Sequence, residues 1–151
     1  MSMKRFNEKW GWSRSQPISE PDLQLAEKHF GIRLPQDYRH ELLTEGIAPI
    51  SGSLLNIVVD RHLLIHVVSE IFSPPEMIEG TVGWREAGMP DQLITFANDD
   101  LGNQLCFDEV LLRSSAEDSA SVWFWDHDFN TVDWLAPSFT AWINSFCELE
   151  P

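Results

Sequence analysis

Two histidines four residues apart, His62 and His66, have a spacing that could serve metal chemistry. On a helix they would share one face and could chelate an ion, but the residue after His62 is Leu63 rather than the glutamate of the metalloprotease motif. On a strand they would lie about 13 Å apart, which is too far to share one ion. We therefore interpret them as ordinary surface or partly buried histidines and predict no metal site.

Three aspartates in the segment 99–108 are the residue type that binds calcium, because hard carboxylate oxygens are preferred calcium ligands. If Gly102 takes the glycine position of a calcium loop, two ligand positions fall on Ala97 and Leu101, whose side chains cannot coordinate the ion. A solvated hairpin turn explains this segment better than a calcium loop does.

The segment Asp126-His127-Asp128 could orient an imidazole as a general base or bind a cation. No serine or cysteine with the sequence signature of a nucleophile accompanies it, so we interpret these residues as part of a hairpin turn. The sequence has no phosphate-binding loop, dinucleotide-binding loop or paired CxxC motif. We therefore expect a protein that binds no cofactor. The enzyme alternative is a metal-dependent hydrolase that uses the two spaced histidines or this segment.

Charge is spread unevenly along the chain, which carries 24 acidic and 10 basic residues and a net charge of −14. Residues 1–85 contain most of the basic residues, whereas residues 86–151 contain a single one, Arg113. Such a negative field repels nucleic acid and anionic lipid. It attracts basic proteins and speeds their encounter. The sequence thus predicts a basic protein partner, although acidity that only maintains solubility is the plainer interpretation.

The length of 151 residues is typical of one domain, and 43% apolar residues are enough for its own core. The longest apolar run is far too short to span a membrane, and the N-terminus lacks the apolar stretch of a secretory signal, so we expect a cytoplasmic protein. Cys106 and Cys147 fit no metal or redox spacing, and we expect both to be reduced and buried. We predict an irregular N-terminal arm over residues 1–17 and a single domain over residues 18–151.

Four helices carry start or stop signals. Ser19 before Pro21 predicts an N-cap, and Gly31 predicts the end of that helix. A second helix is predicted over residues 36–45, where Gly46 ends it, and together the two form a helical hairpin. The predicted buried stripes of the hairpin consist of Leu23, Ala26 and Phe30, then Tyr38, Leu42 and Leu43. A third helix is predicted after Ser73 and a closing helix around residues 137–146.

Strands are predicted over residues 93–97, 104–108, 122–126 and 131–135, with a flexible loop over residues 113–120. Alternating Leu55, Ile57 and Val59 predict another strand within 53–69. Residues 63–68 fit either its hairpin partner or a short helix, and the sequence leaves both open.

The last predicted hairpin sets Asp126 opposite Thr131. Its tryptophans then lie on one side, and Phe124 lies opposite Asp133 on the other. Because the tryptophan side is more apolar, we assign it to the core and expect an acidic open face on the other side, with Asp108 added to it. We also keep Trp10 and Trp84 as open interface candidates. The predicted partner-binding residues are Asp99, Asp100, Asp108, Phe124, Asp126, Asp128 and Asp133.

The order of several short motifs resembles the SUKH superfamily of Smi/Knr type. These motifs are residues 18–23 (Ile-Ser-Glu-Pro-Asp-Leu), residues 27–38, which contain Phe-Gly and Leu-Pro-Gln-Asp-Tyr, and residues 42–46 (Leu-Leu-Thr-Glu-Gly), followed by residues 90–97, 99–108, 122–127 and 138–143. The resemblance covers about residues 18–147. The chain departs from the pattern at Glu45, where family members often carry Asn, and the segment 47–75 does not align.

The resemblance implies an α+β fold in which an N-terminal helical hairpin and a C-terminal helix pack on a mainly antiparallel sheet. It also implies a binding module that is not an enzyme, because the family has no catalytic residues that could be carried over to this chain. Many bacterial relatives are immunity proteins that neutralise a cognate secreted toxin, frequently a nuclease, in the producer's cytoplasm. We therefore expect an immunity protein that binds a basic toxin domain through its acidic surface. The alternative is a regulatory adaptor that binds an endogenous protein, as fungal relatives do in cell-wall synthesis.

Overall fold

The protein combines seven helices with one five-stranded sheet in a computed structural model that describes residues 2–114 and 120–150. The sheet order is β1-β2-β3-β4-β5, and each neighbouring pair is antiparallel. The α+β fold class predicted from the sequence is confirmed. In chain order, the elements are α1 (Ser2–Trp10), α2 (Glu20–Phe30), α3 (Gln36–Glu45), α4 (Gly52–Asp60), β1 (Glu70–Ile71), α5 (Pro74–Glu86), β2 (Leu93–Asn98), β3 (Gln104–Asp108), α6 (Glu109–Ser114), β4 (Val122–Asp126), β5 (Thr131–Ala136) and α7 (Phe139–Cys147).

The helical hairpin of α2 and α3 is confirmed with its boundaries. The Ser19 hydroxyl accepts a hydrogen bond from the backbone N–H of Asp22, and Gly31 ends α2 with a left-handed φ of 65°. The Arg39 guanidinium of α3 pairs with Glu20 and Glu27 of α2 and holds the two helices together.

The buried stripes of this hairpin are confirmed except at one position. Leu43, which was predicted to be buried, is exposed. Leu42 and Tyr38, four residues apart on α3, form the face that packs on the core. Leu43 follows Leu42 directly and therefore lies on a different face of the helix, which is exposed to solvent.

Helix α1 replaces the irregular arm predicted for residues 1–17. Met3, Phe6 and Trp10 are buried along one stripe of this helix. The buried carboxylate of Glu41 accepts hydrogen bonds from the backbone N–H groups of Ser2 and Met3, so an acidic group from α3 stabilises the start of α1. The prediction missed α1 because its cap comes from a residue far away in sequence.

The end of α1 is tied to the end of α7. The Lys9 ammonium donates a hydrogen bond of 2.7 Å to the carbonyl of Cys147, and the Trp10 indole N–H donates one of 3.0 Å to the carbonyl of Phe146. These two donors satisfy carbonyl groups that the end of a helix otherwise leaves unpaired.

Helix α4 replaces the strand predicted within residues 53–69. Leu54 and Val58, four residues apart, are buried on its inner face, whereas Val59 is exposed. The apolar run satisfies both the helical and the strand period, and the burial of the i and i+4 pair decides in favour of the helix. Residues 63–68 form neither the hairpin partner nor the short helix, and only the two residues of β1 follow them.

Helix α5 begins as predicted, with a complete capping box between Ser73 and Glu76. It also covers the part of β2 that the short strand β1 leaves open. The Thr81 hydroxyl accepts a hydrogen bond from the backbone N–H of Thr95, and the Arg85 guanidinium donates one to the carbonyl of Leu93. Side chains thus pair the backbone groups that an edge strand would otherwise expose.

Residues 109–114 form helix α6 inside the region where a loop was predicted to begin. The Asp108 carboxylate accepts hydrogen bonds from the backbone N–H groups of Val110 and Leu111 and so caps this helix. Of the rest of the predicted flexible loop, residues 115–119 lie outside the described residues. Cys106 and Cys147 are both buried and unbridged, as expected.

Candidate protein-binding surface

The β4–β5 hairpin has the predicted register, but its faces are reversed. Phe124 pairs with Asp133 and Trp123 with Trp134, as the loop length predicts. The face of Phe124 lies in the main core, so the prediction of an open face on this side is wrong. The tryptophan face forms a second, smaller cluster around Trp125. The Phe124 face is buried although its composition is less apolar than that of the tryptophan face, because helices pack against it. Burial therefore depends on what packs above a strand and not only on the composition of the strand.

Phe124 cannot serve as the predicted aromatic anchor in this structure, because only 3% of it is exposed. The imidazole ring of His66 stacks on its ring, with the two centroids 3.7 Å apart and the planes 13° from parallel. The segment after α4 that contains His66, which the sequence left unassigned, therefore closes over this phenylalanine.

The predicted partner-binding aspartates fall into three groups. Asp99 and Asp126 support turns through hydrogen bonds to backbone N–H groups. Asp108 caps α6 and lies on the tryptophan face of β3. It is at the other end of the strand from the turns, about 13 Å from Gln104, where the strand begins. The exposed positions are Asp100, Asp128 and Asp133, with Asp133 on β5 opposite the buried Phe124. The structure thus brings four of the six aspartates, at 99, 100, 126 and 128, to one end of the sheet.

Asp99 organises the turn between β2 and β3. One of its carboxylate oxygens accepts hydrogen bonds from the backbone N–H groups of Leu101 and Asn103, at 2.9 and 2.8 Å. The other accepts a bond of 3.0 Å from the Asn103 side-chain amide. Asp99 and Asn103 are both buried, so these bonds fix the shape of the turn.

Asn103 joins this turn to the neighbouring β4–β5 turn. Its side-chain oxygen accepts a hydrogen bond from the backbone N–H of His127 at 3.1 Å and lies 2.7 Å from the Nδ1 atom of the same residue. Gly102, with a φ of 86°, lies directly under the His127 imidazole. A Cβ at this position would be 3.4 Å from the ring. The two turns are therefore locked together as one unit.

Aromatic side chains support this unit from the tryptophan face. The ring of Trp84, on α5, meets the ring of Trp125 edge-on at 5.5 Å and lies 5.6 Å from His127. The Trp125 indole N–H donates a hydrogen bond of 2.8 Å to the side-chain oxygen of Asn130. Trp84, kept open as an interface candidate, is thus partly buried under the turns, whereas Trp10, the other candidate, is fully buried in the core.

The linked turns expose two large apolar side chains beside two carboxylates. Leu101 is 70% exposed and Phe129 is 79% exposed, and the exposed Asp100 and Asp128 are their sequence neighbours. We refer to these four residues as the turn tip. Sequence reasoning missed Leu101 and Phe129, although a large apolar residue inside a polar turn segment is a visible signal, since turns lie at the surface.

The apolar surface continues from the turn tip along the edge strand β5. Val132 and Trp134 are both substantially exposed on the tryptophan face, and Trp134 reaches 54%. The Trp134 indole N–H donates a hydrogen bond of 3.2 Å to the hydroxyl of Ser121, which orients the ring. We refer to Val132 and Trp134 as the tryptophan strip.

The histidines that could bind a metal are not assembled into a site. His62 has a left-handed φ of 52°, and His66 stacks on Phe124. Within residues 2–114 and 120–150, no three His, Cys, Asp or Glu side chains are grouped so that they could hold a metal ion. Over the same residues, no helix is long and apolar enough to cross a membrane.

Comparisons with known proteins agree with this architecture. The model of the SMI1/KNR4 family (SUKH-1) matches residues 17–145. The chain belongs to this family. The fold of this SUKH-1 protein is similar to that of a protein from Pseudomonas syringae pv. tomato, known from a crystal structure, with a TM-score of 0.58 and 16% identity over 95% of this chain and 93% of that one. No curated protein matches the chain.

Family membership confirms the resemblance that the motifs indicate. The match includes the helical hairpin, the whole sheet with the turn tip, and most of α7, whereas α1 precedes the matched residues. The likeness to the Pseudomonas protein concerns the fold of this SUKH-1 chain alone.

Proposed function

We propose that this protein is an immunity-type binding module that neutralises a cognate secreted toxin by gripping a basic toxin domain with the turn tip and the tryptophan strip. It acts by binding, without turnover and without a cofactor, in the cytoplasm of the cell that makes the toxin. The observation that carries the proposal is the pair of linked turns that expose Phe129 and Leu101 between acidic side chains. Membership of the SUKH-1 family supports an immunity role.

The chemistry of the turn tip suits a basic partner. Exposed aromatic side chains that enter a partner's pocket supply most of the binding energy at interfaces. Asp100 and Asp128 flank the two apolar anchors, so a cationic surface is attracted while the apolar groups lose water. A nuclease toxin has such a surface because it binds phosphate, and it would meet the negative potential of residues 86–151.

Rigidity adds to the affinity that this surface can reach. The Asp99–Asn103–His127 hydrogen bonds and the packing of Trp84 on Trp125 hold the anchors in place before a partner arrives. A preorganised loop loses less conformational entropy on binding than a mobile one.

The test is co-expression of the protein with the toxin encoded next to its gene. We expect the wild type to protect the host cell and the double variant L101A/F129A to lose protection and at least about tenfold in affinity. L25A/L64A, which removes two exposed leucines from other elements, is the matched control and retains both. For the charges, D100N/D128N weakens binding more strongly at low salt, whereas E8Q/E148Q, which removes two exposed carboxylates elsewhere, has little effect.

Three outcomes would overturn this proposal or part of it. If the wild type gives no protection and does not bind the toxin, the immunity role is wrong. If L101A/F129A protects as well as L25A/L64A does, the turn tip is not the binding surface. Recovery of an endogenous partner, with no adjacent toxin gene, would replace the immunity role with that of a regulatory adaptor.

A further inference from the structure

A cavity of about 450 Å³ lies beside β1, at the opposite edge of the sheet from β5. Its walls are mainly apolar and include Ile18, Ile47, Ile50 and Ile71. The sheet stands between this cavity and the tryptophan strip, so the two are separate features of the molecule.

The far wall of the cavity is built by two chain segments that pair with each other. The backbone N–H of Gln16 donates to the carbonyl of Ile47 at 2.7 Å, and the N–H of Ile47 donates to the carbonyl of Gln16 at 3.0 Å. Gly46 makes this approach possible, because a Cβ at that position would lie 2.2 Å from the Gln16 carbonyl oxygen. The wall is therefore a fixed part of the fold.

Two carboxyl groups, those of Glu70 and Glu76, stand at the exposed mouth of the cavity. Glu76 accepts a hydrogen bond of 2.9 Å from the backbone N–H of Ser73, and Glu70, when it holds a proton, can donate one to Glu76. Burial, and then the hydrogen bond to Glu76 and its charge, raise the pKa of Glu70. Burial also raises the pKa of Glu76, but the hydrogen bonds from Ser73 and Glu70 outweigh it and leave that pKa lowered.

When both carboxyl groups are ionised, neither can donate to the other, and the two negative charges repel at the rim of an apolar space. A cation placed between them would remove this repulsion, and an apolar stem attached to the cation would lie against the isoleucine wall of the cavity.

We propose that this cavity, the Glu70–Glu76 pocket, binds the side chain of a lysine presented by a partner protein. The four methylene groups lie against the isoleucines, and the ammonium group donates hydrogen bonds to both carboxylates. A lysine fits better than an arginine because its longer methylene stem covers more of the apolar wall and its compact ammonium group needs less room at the rim than a planar guanidinium. The inference does not depend on the turn tip or on the partner's being a toxin.

The experiment is a titration of the full ¹⁵N-labelled chain with lysine blocked as the N-acetyl methylamide, followed by amide chemical shifts. We expect saturable shifts at Ala48, Ile71 and Glu76, with a dissociation constant on the order of millimolar. Blocked norleucine, which keeps the apolar stem and lacks the charge, binds about tenfold more weakly or not at all. Blocked arginine shifts the same amides but binds more weakly than blocked lysine.

Variants connect the binding to the two carboxyl groups. E70Q/E76Q abolishes the saturable shifts, and glutamine at position 76 still completes the capping box, so the fold is kept. E79Q removes an exposed carboxylate of α5 that does not line this cavity, and it leaves the binding unchanged. Equal binding of blocked norleucine and blocked lysine, tighter binding of blocked arginine, unchanged binding by E70Q/E76Q, or no saturable shift each overturns the proposal.

Discussion

Phe124 and Phe129 lie five residues apart in the same hairpin, yet one is 3% exposed and the other 79%. Phe124 lies on a strand under the segment that contains His66, whereas Phe129 lies in the turn beyond the end of the strand. The same residue type therefore stabilises the fold at one position and is available to a partner at the other. The lesson is that a contact residue has to be chosen by what covers it, not by its chemistry alone.

The largest effect that we expect is the difference in the free energy of unfolding between the variants F124A and F129A. F124A creates a cavity in the core and should destabilise the protein by about 3–5 kcal/mol. F129A deletes a ring that is exposed to solvent and should change the free energy of unfolding by less than about 0.5 kcal/mol. Urea unfolding followed by tryptophan fluorescence measures both.

F124L provides a second measurement where F124A is too unstable to purify. Leucine keeps most of the volume but cannot stack on His66, so we expect a loss of about 1–1.5 kcal/mol. Equal and small effects of F124L and F129A would show that residue 124 is not packed as the structure describes.

How far the sequence predicts the fold depends on whether the deciding contact is local. The start of α2 at Ser19, the end at Gly31 and the register of the last hairpin are fixed by near neighbours, and all were predicted. The start of α1 is capped by Glu41, which is more than thirty residues away, so no neighbouring residue in the sequence predicts where this helix begins. In α4, the Ser51 side chain makes no capping hydrogen bond to the first turn, so no local cap fixes the start of this helix.

The proposed binding surface shows the same limit of prediction from local sequence. The sequence located the acidic turns and the pairing of the last two strands, because turn residues and loop length are local information. It assigned the wrong face to the core because the cover of Phe124 comes from residues more than fifty positions earlier. Among the aspartates, it could not separate those that hold turns, such as Asp99, from those that are exposed, such as Asp100.

Asp99 and Asp100 repeat the comparison of a buried with an exposed residue of the same type, and the expected difference in the free energy of unfolding is smaller. D99A removes a buried acceptor of three hydrogen bonds and leaves the buried Asn103 amide without its carboxylate, so we expect a loss of about 2–3 kcal/mol. D100A removes an exposed carboxylate and should stay within about 0.5 kcal/mol of the wild type. The measurement is again urea unfolding at neutral pH. Similar values for the two variants would mean that the hydrogen bonds around Asp99 do not hold the turn.

The last comparison concerns Glu109, the neighbour of the helix cap Asp108, and its distinguishing sign is a pH dependence of the stability difference. Burial tends to raise the pKa of Glu109, but hydrogen bonds from Arg85 and Arg113, together with their charges, outweigh it and lower the pKa. A carboxyl group whose pKa is lower in the folded state contributes stability above its unfolded pKa, about 4.3, and loses it as the pH falls through the folded value.

E109Q should therefore lower the stability by about 1 kcal/mol at pH 7, because it replaces a partly buried ion pair with a neutral contact. The difference between wild type and E109Q should shrink as the pH falls below about 4, where the wild-type carboxylate takes up its proton. E86Q, which removes an exposed carboxylate of α5, is the control and should show no such narrowing. A gap between wild type and E109Q that stays constant down to pH 3 would mean that the two arginines do not stabilise the ionised form. The far end of β3 would then be held by the packing of α6 and by its Asp108 cap, and not by charge.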